Sequence, residues 1–178
     1  MTKNHLLNYF SEEQFKQIIG KDEPYLKACM IVTTLFRDKV DKAGHPYIGH
    51  LYRVSNKLKE QSEKVAGLLH DVVEDTDVTL DDLLEVGFTK DIVDIVAIVT
   101  HEKIDKSNMS KEEKLELYNK EIDKVINSGN IHAIRLKEAD MSDNFDPIRI
   151  KELPKEKQEW FNEKYGKQLI KLRNVKGR

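Results

Sequence analysis

The run Leu68-Leu69-His70-Asp71-Val72-Val73-Glu74-Asp75-Thr76 sets four ionisable side chains into the most apolar stretch of the chain. On a helical wheel His70, Glu74, Asp71 and Asp75 fall at about 0, 40, 100 and 140 degrees, so they share one sector while Leu69, Val72 and Val73 lie outside it. Carboxylates taken out of water are costly unless a cation or hydrogen bonds compensate, which makes a metal ion a natural explanation. The plain alternative is a stripe that faces water. Two further segments argue against it: His50, opening a helix after Gly44-His45-Pro46-Tyr47-Ile48-Gly49, and Asp140, which shares a helix face with Lys137 and Asn144. Three separate segments can then converge on one ion.

Helices must position these groups, because apolar residues recur at three- and four-residue spacings and strict alternation is scarce. The expected fold class is all-α. Ser11-Glu12-Glu13-Gln14 has the form of a capping box and opens a short helix that Gly20 ends; Pro24 suits the first turn of the next, whose apolar face is Tyr25, Cys29, Val32, Leu35 and Phe36. Residues 41–46 form a loop. Helices follow near 48–60 (Leu51, Val54, Leu58) and near 63–75, the latter apolar enough to be central. Thr79 and Thr89 are N-cap candidates for two short helices separated by Gly87. Ser110 to Glu113 form a second capping box, for a helix running to Gly129, and Asn130 caps the helix that carries Asp140. Pro154 opens the last helix, over about 154–174, with Phe161, Tyr165, Leu169 and Leu172 as its stripe. The basic tail from Lys171 to Arg178 is expected to fray.

At 178 residues the chain suits one domain over 1–178, and with 39% hydrophobic and 35% charged residues it can bury a core. Thirty Lys and Arg against 32 Asp and Glu give a formal charge of -2, not the basic balance that duplex nucleic acid selects, so no nucleic-acid partner is expected. No membrane association is expected either, since neither a signal-peptide core nor a spanning apolar run is present. Cys29, the single cysteine, excludes a disulfide within the chain and suits a cytoplasmic setting. Oligomeric state is not readable from these features.

The pattern of His50, then His70-Asp71, then Asp140 resembles the H…HD…D signature of HD-domain metal-dependent phosphohydrolases. The flanking residues narrow the likeness. Gly44 to His50 resembles the G-x-P-Y-I-x-H segment of the (p)ppGpp hydrolase domain of RelA/SpoT-type enzymes and of the small stand-alone alarmone hydrolases. His70 to Thr76 matches their H-D-x-V-E-D-T run, and Lys137 to Asn144 is similar to K-x-A-D-x-x-x-N. The likeness covers about residues 25–145.

The resemblance implies an HD-domain helical bundle. It implies that His50, His70, Asp71 and Asp140 hold one divalent ion, Mn2+ before Fe2+ or Zn2+, since two imidazoles and two carboxylates suit all three. Glu74 and Asp75 would orient or deprotonate the attacking water, Asn144 would hold a ribose or phosphate group, and Lys39, Lys42 and Lys137 would bind phosphates at the edge of the site. The implied reaction removes the 3′-pyrophosphate of ppGpp or pppGpp. Hydrolysis of another nucleotide or phosphorylated metabolite, and a catalytically silent nucleotide-binding module, are the alternatives. Retention of both Glu74 and Asp75 argues against silence.

The chain also departs from that pattern. Asp41-Lys42 stands where an Arg-Lys pair is usual, Leu51 follows the metal histidine in place of proline, and Thr34 to Lys39 lacks the usual A-H-x-G-Q. Asp41 is expected to repel a pyrophosphate unless it turns away, so Asp41→Arg is expected to leave turnover unchanged or to improve it.

Overall fold

A computed structural model describes residues 3–176, among which no strand occurs. A 3-10 turn at His5–Asn8 leads into α1 (Glu12–Ile19), α2 (Pro24–Leu35), α3 (Ile48–Asn56), α4 (Gln61–Leu69) and α5 (Val72–Asp75). Then come α6 (Leu80–Glu85), α7 (Lys90–Val99), α8 (Lys111–Asn127), α9 (Ile131–Asn144), α10 (Pro147–Lys151) and α11 (Lys155–Lys176). The all-α expectation holds.

Capping explains most helix starts. Ser11, Thr79 and Ser110 each accept the backbone N–H three residues on, while the side chain at that third position reaches back, so two otherwise orphaned donors are satisfied reciprocally. Asn130 caps α9 through His132 and Ala133. Thr89 stands at the start of α7 but makes no capping bond; its hydroxyl donates to Asp91 instead. Gly20 ends α1 in a right-handed conformation, whereas Gly87 has φ +90, which a side chain would strain.

One hydrophobic cluster runs through the bundle, with α4 at its centre, packed against α2, α3, α7 and α9. Val65, Ala66, Leu68 and Leu69 are fully buried, as the apolar run implied. The core face of α2 differs from the expected one. Ala28, Ile31, Val32 and Phe36 are buried, while Tyr25, Cys29 and Leu35 are only partly so.

The single helix expected over 63–75 is two helices: the α-helical ladder stops at Leu69, His70 and Asp71 form a turn, and α5 restarts at Val72. Both turn residues keep near-helical backbone angles, so the break reorients the chain modestly where the charged groups fall. The helix expected over 48–60 ends at Asn56. The 3-10 turn and α10 had no counterpart in the sequence reading. At the other end the chain does not fray as expected: α11 continues to Lys176 with Leu172 fully buried. Residues 177 and 178 of that tail lie outside the described residues.

α4 packs against the carboxyl-terminal end of α3 at Gly67. A Cβ there would lie 2.9 Å from Leu58 Cδ1 and 3.1 Å from Ser55 Cα, so glycine is what lets the two helices meet. That contact sets His50 of α3 beside His70 at the end of α4. Preceding α3, residues 40–46 form a tight loop closed by a bridge between Val40 and Pro46, with Gly44 at φ +88.

Candidate metal centre

His50 is buried and its Nδ1 lies 2.8 Å from Asp143 Oδ2. This carboxylate accepts a hydrogen bond from the Nδ1–H and turns Nε2 inward with its lone pair available. His70 is fixed in the same sense by Gly67, whose carbonyl oxygen accepts from Nδ1 at 2.9 Å. The two rings meet edge to face with centroids 5.4 Å apart.

Two carboxylates close the cluster. Asp71 Oδ2 is 3.1 Å from His70 Nε2 and 3.8 Å from His50 Nε2, and Asp140 Oδ1 is 3.8 Å and 3.4 Å from the same two atoms. His50, His70 and Asp71 present ligand atoms all within 4.8 Å of one another. His70 Nε2 is buried and makes no hydrogen bond, although Asp71 lies close by. An unsatisfied imidazole nitrogen ringed by carboxylate oxygens and a second imidazole suits atoms that share a third centre better than atoms that bond to one another. The donor set therefore fits a divalent metal.

Each ligand atom is held from behind. The Tyr47 hydroxyl donates to Asp71 Oδ2 at 2.6 Å; burial and the neighbouring Asp71 raise its pKa far above the usual phenol range, so it stays a donor. Lys137 donates to Asp140 Oδ2 at 3.2 Å, and the Asn144 amide to Oδ1 at 2.6 Å. Lys137 also donates to His101 Nε2 at 2.8 Å, which leaves the proton of His101 on the nitrogen facing Glu121. Asp143, almost wholly buried, gathers His50, Arg53, Lys57 and Arg149 around one carboxylate. Its burial disfavours the charge, but those donors hold its pKa well below the usual carboxylate range.

The carboxylates also act on the imidazoles. Burial works against a charged His70, yet Asp71 and Asp140 outweigh it and push its pKa up to about 9; His50 is raised too, with Asp140 and Asp143 overcoming burial. Protons and a metal ion thus compete for the same two nitrogens.

The cluster forms the floor of a cavity of about 500 Å³. Glu74 and Asp75 both line it. Asp75 is paired with Lys39, whose ammonium sits 4.1 Å from the Tyr47 ring centroid, while among the described residues Glu74 has no side-chain hydrogen bond or ion pair. Lys42 lies at the rim over the Phe161 ring. Lys137 and Asn144, expected to meet substrate, both line the cavity and both bond Asp140, and Lys137 is largely buried there.

Asp41 lines the cavity with its carboxylate engaged by Arg149 and the loop backbone. Its Oδ2 binds Arg149 Nη2 at 2.7 Å, and its Oδ1 accepts from the backbone of Ala43 and His45. The feared repulsion is thereby neutralised, since Asp41 ties the 41–45 loop to α10. Tyr47 and Asp143 had a signal in the sequence, each lying inside a motif, but nothing in the sequence pointed to Arg149 or to the cavity residues of α11.

The helical bundle with this histidine–aspartate cluster at its centre has a solved counterpart in fold. It matches the solved structure of a metazoan orthologue of SpoT, described as hydrolysing ppGpp and playing a role in starvation responses. The TM-score is 0.64 at 22% identity, over 87% of this chain and 94% of that one. In sequence the chain is 33% identical over 123 residues, 65% of its length, to a probable guanosine-3′,5′-bis(diphosphate) 3′-pyrophosphohydrolase of Mycoplasma pneumoniae. It is 34% identical over 101 residues to a protein of the same description in Synechocystis, and 31% identical over 139 residues to a GTP pyrophosphokinase of Streptomyces coelicolor. The chain spans 17%, 13% and 15% of the length of these three relatives. No protein-family model matches it. The resemblance carried by the motifs is accordingly met by sequence similarity to such hydrolases and by a shared fold.

Proposed function

We propose that the chain is a divalent-metal-dependent phosphohydrolase that removes the 3′-pyrophosphate of ppGpp or pppGpp. The observation that carries this reading is the buried, unbonded His70 Nε2 among the His50, Asp71 and Asp140 ligand atoms, at the floor of a lysine-bearing cavity. His50, His70, Asp71 and Asp140 would hold the ion; manganese is our choice, and iron or zinc suit the same donors. The bound ion supplies Lewis-acid chemistry, lowering the pKa of water and offsetting charge at phosphorus.

Glu74 is the group free to take the proton of the attacking water, because among the described residues no ion-pair cation or hydrogen-bond donor holds its carboxylate. Asp75, restrained by Lys39, orients that water. Lys42 and Lys39 meet the phosphates as point charges, and the Asn144 carbonyl oxygen, left over once its amide has bonded Asp140, can accept from a ribose hydroxyl. Lys137 and Tyr47 keep the two carboxylate ligands in place. No helix among the described residues is long and apolar enough to cross a membrane. A cytoplasmic site of action accords with the nucleotide substrate.

The test is a panel of nucleotides, ppGpp among them, incubated with manganese-loaded protein and followed by product analysis. Release of pyrophosphate with GDP as the nucleotide product is expected. Turnover of another nucleotide and none of ppGpp would overturn the substrate assignment and leave the phosphohydrolase chemistry standing.

A further inference from the structure

Beyond the motif-bearing segments, α11 contributes a cation that the proposed chemistry leaves unused. Lys164 is half-buried in the cavity wall, its ammonium 4.3 Å from the ring centroid of Tyr118 and 5.0 Å from that of Tyr165. Among the described residues no carboxylate pairs with it and no acceptor takes a hydrogen bond from it. Of the other lysines that line the cavity, Lys39 has Asp75, Lys137 has Asp140, and Lys106 lies 3.8 Å from Glu121, while Lys42 and Lys114 have no ion pair among the described residues. Burial, then Lys42 and Lys137, bring the pKa of Lys164 down to about 8, opposed in part by Asp140 and Glu121. The electrostatic setting is therefore a cationic wall facing an acidic floor.

An ammonium held in a cavity without a counter-charge is costly, and an entering anion removes that cost through charge-assisted hydrogen bonds. Lys42, at the rim and 4.7 Å from the Phe161 centroid, lies close enough for its charge to depress that of Lys164. We infer that Lys164, with Lys42, forms an anion subsite that takes the 5′-diphosphate of the nucleotide, the end distant from the metal cluster. The inference rests on the proposed nucleotide substrate. It adds a specificity device: a substrate phosphorylated at both ends is gripped at both, while one lacking the 5′ phosphates loses one grip.

Trp160, the single tryptophan, lines the same cavity and reports on its occupancy. The metal-free 178-residue chain is titrated with GDP, guanosine and inorganic pyrophosphate while Trp160 emission is followed. GDP is expected to bind wild type, with affinity lower by roughly tenfold or more in Lys164→Met and within a few-fold of wild type in Lys164→Arg. Guanosine is expected to bind both variants and wild type alike. Unchanged GDP affinity in Lys164→Met, or an equal loss in Lys164→Arg, overturns the subsite; so does inorganic pyrophosphate binding more tightly than GDP, which would mark a product site. Failure of the substrate reading looks different: GDP binding stays Lys164-dependent while the metal-loaded protein leaves ppGpp intact. Conversely, ppGpp turnover with the same KM in wild type and Lys164→Met sinks the subsite alone.

Discussion

Asp71 and Glu74 stand one helical turn apart and carry different duties. Asp71→Ala should abolish metal binding, while Glu74→Ala should keep the metal and lose turnover; elemental analysis of purified variants separates the two, and equal metal loss in both would contradict the division. Asp143, which the sequence reading passed over, fixes the orientation of His50, so Asp143→Asn should weaken metal affinity by roughly ten- to a hundredfold in a chelator competition. Because the metal-free pKa of His70 is pushed up to about 9, its imidazolium is present below that pH and must lose a proton for metal to bind. Apparent metal affinity should therefore climb with pH until about 9 and level off above it; a flat profile between pH 6 and 9, by calorimetry, would contradict this. The ligand residues were legible because buried acids and imidazoles are rare in apolar runs. For Asp41 only half the picture was legible: its charge was visible, but Arg149, distant in sequence and carried by a helix with no pattern of its own, was not. The structure reverses the expectation for Asp41→Arg, which places two guanidinium groups together and frees the loop; turnover should fall rather than rise.

Helices read well from capping boxes and periodicity, and poorly where tertiary contact decides. The break at His70–Asp71 is such a place, as is the face that α2 buries, both set by neighbours rather than by propensity. Gly67 is the clearest element-scale constraint. Gly67→Ala should force α3 and α4 apart, costing about 1 to 3 kcal/mol in denaturant unfolding, and should weaken metal binding because it moves His50 relative to His70. Asp82 ties the amino-terminal turn to α6: it is buried, accepts from the backbone of His5 and Thr79, and lies 2.8 Å from the His5 ring. Burial raises its pKa, but the Thr79 and His5 bonds win and lower it. A depressed carboxylate contributes stability above its unfolded pKa of about 3.9 and loses it as pH falls through the folded value. Asp82→Asn should accordingly melt below wild type at pH 7, with the gap narrowing once pH drops under about 4.

Across the whole molecule, the bundle brings three motif segments to one cavity floor and adds α11, which none of the motifs announced, as a wall. Fold class and the residues that cluster at the cavity floor were legible in the sequence because both depend on local pattern; the cavity's cationic side depends on where α11 packs against α8 and α9, which no local pattern encodes. The central claim is that His50, His70, Asp71 and Asp140 hold one divalent ion. Anomalous diffraction from crystals of manganese-loaded protein tests it most directly. One strong manganese peak is predicted, about 2.0 to 2.4 Å from His50 Nε2, His70 Nε2 and an oxygen of each aspartate. A peak elsewhere, or these four side chains more than about 6 Å apart around no peak, would contradict the account.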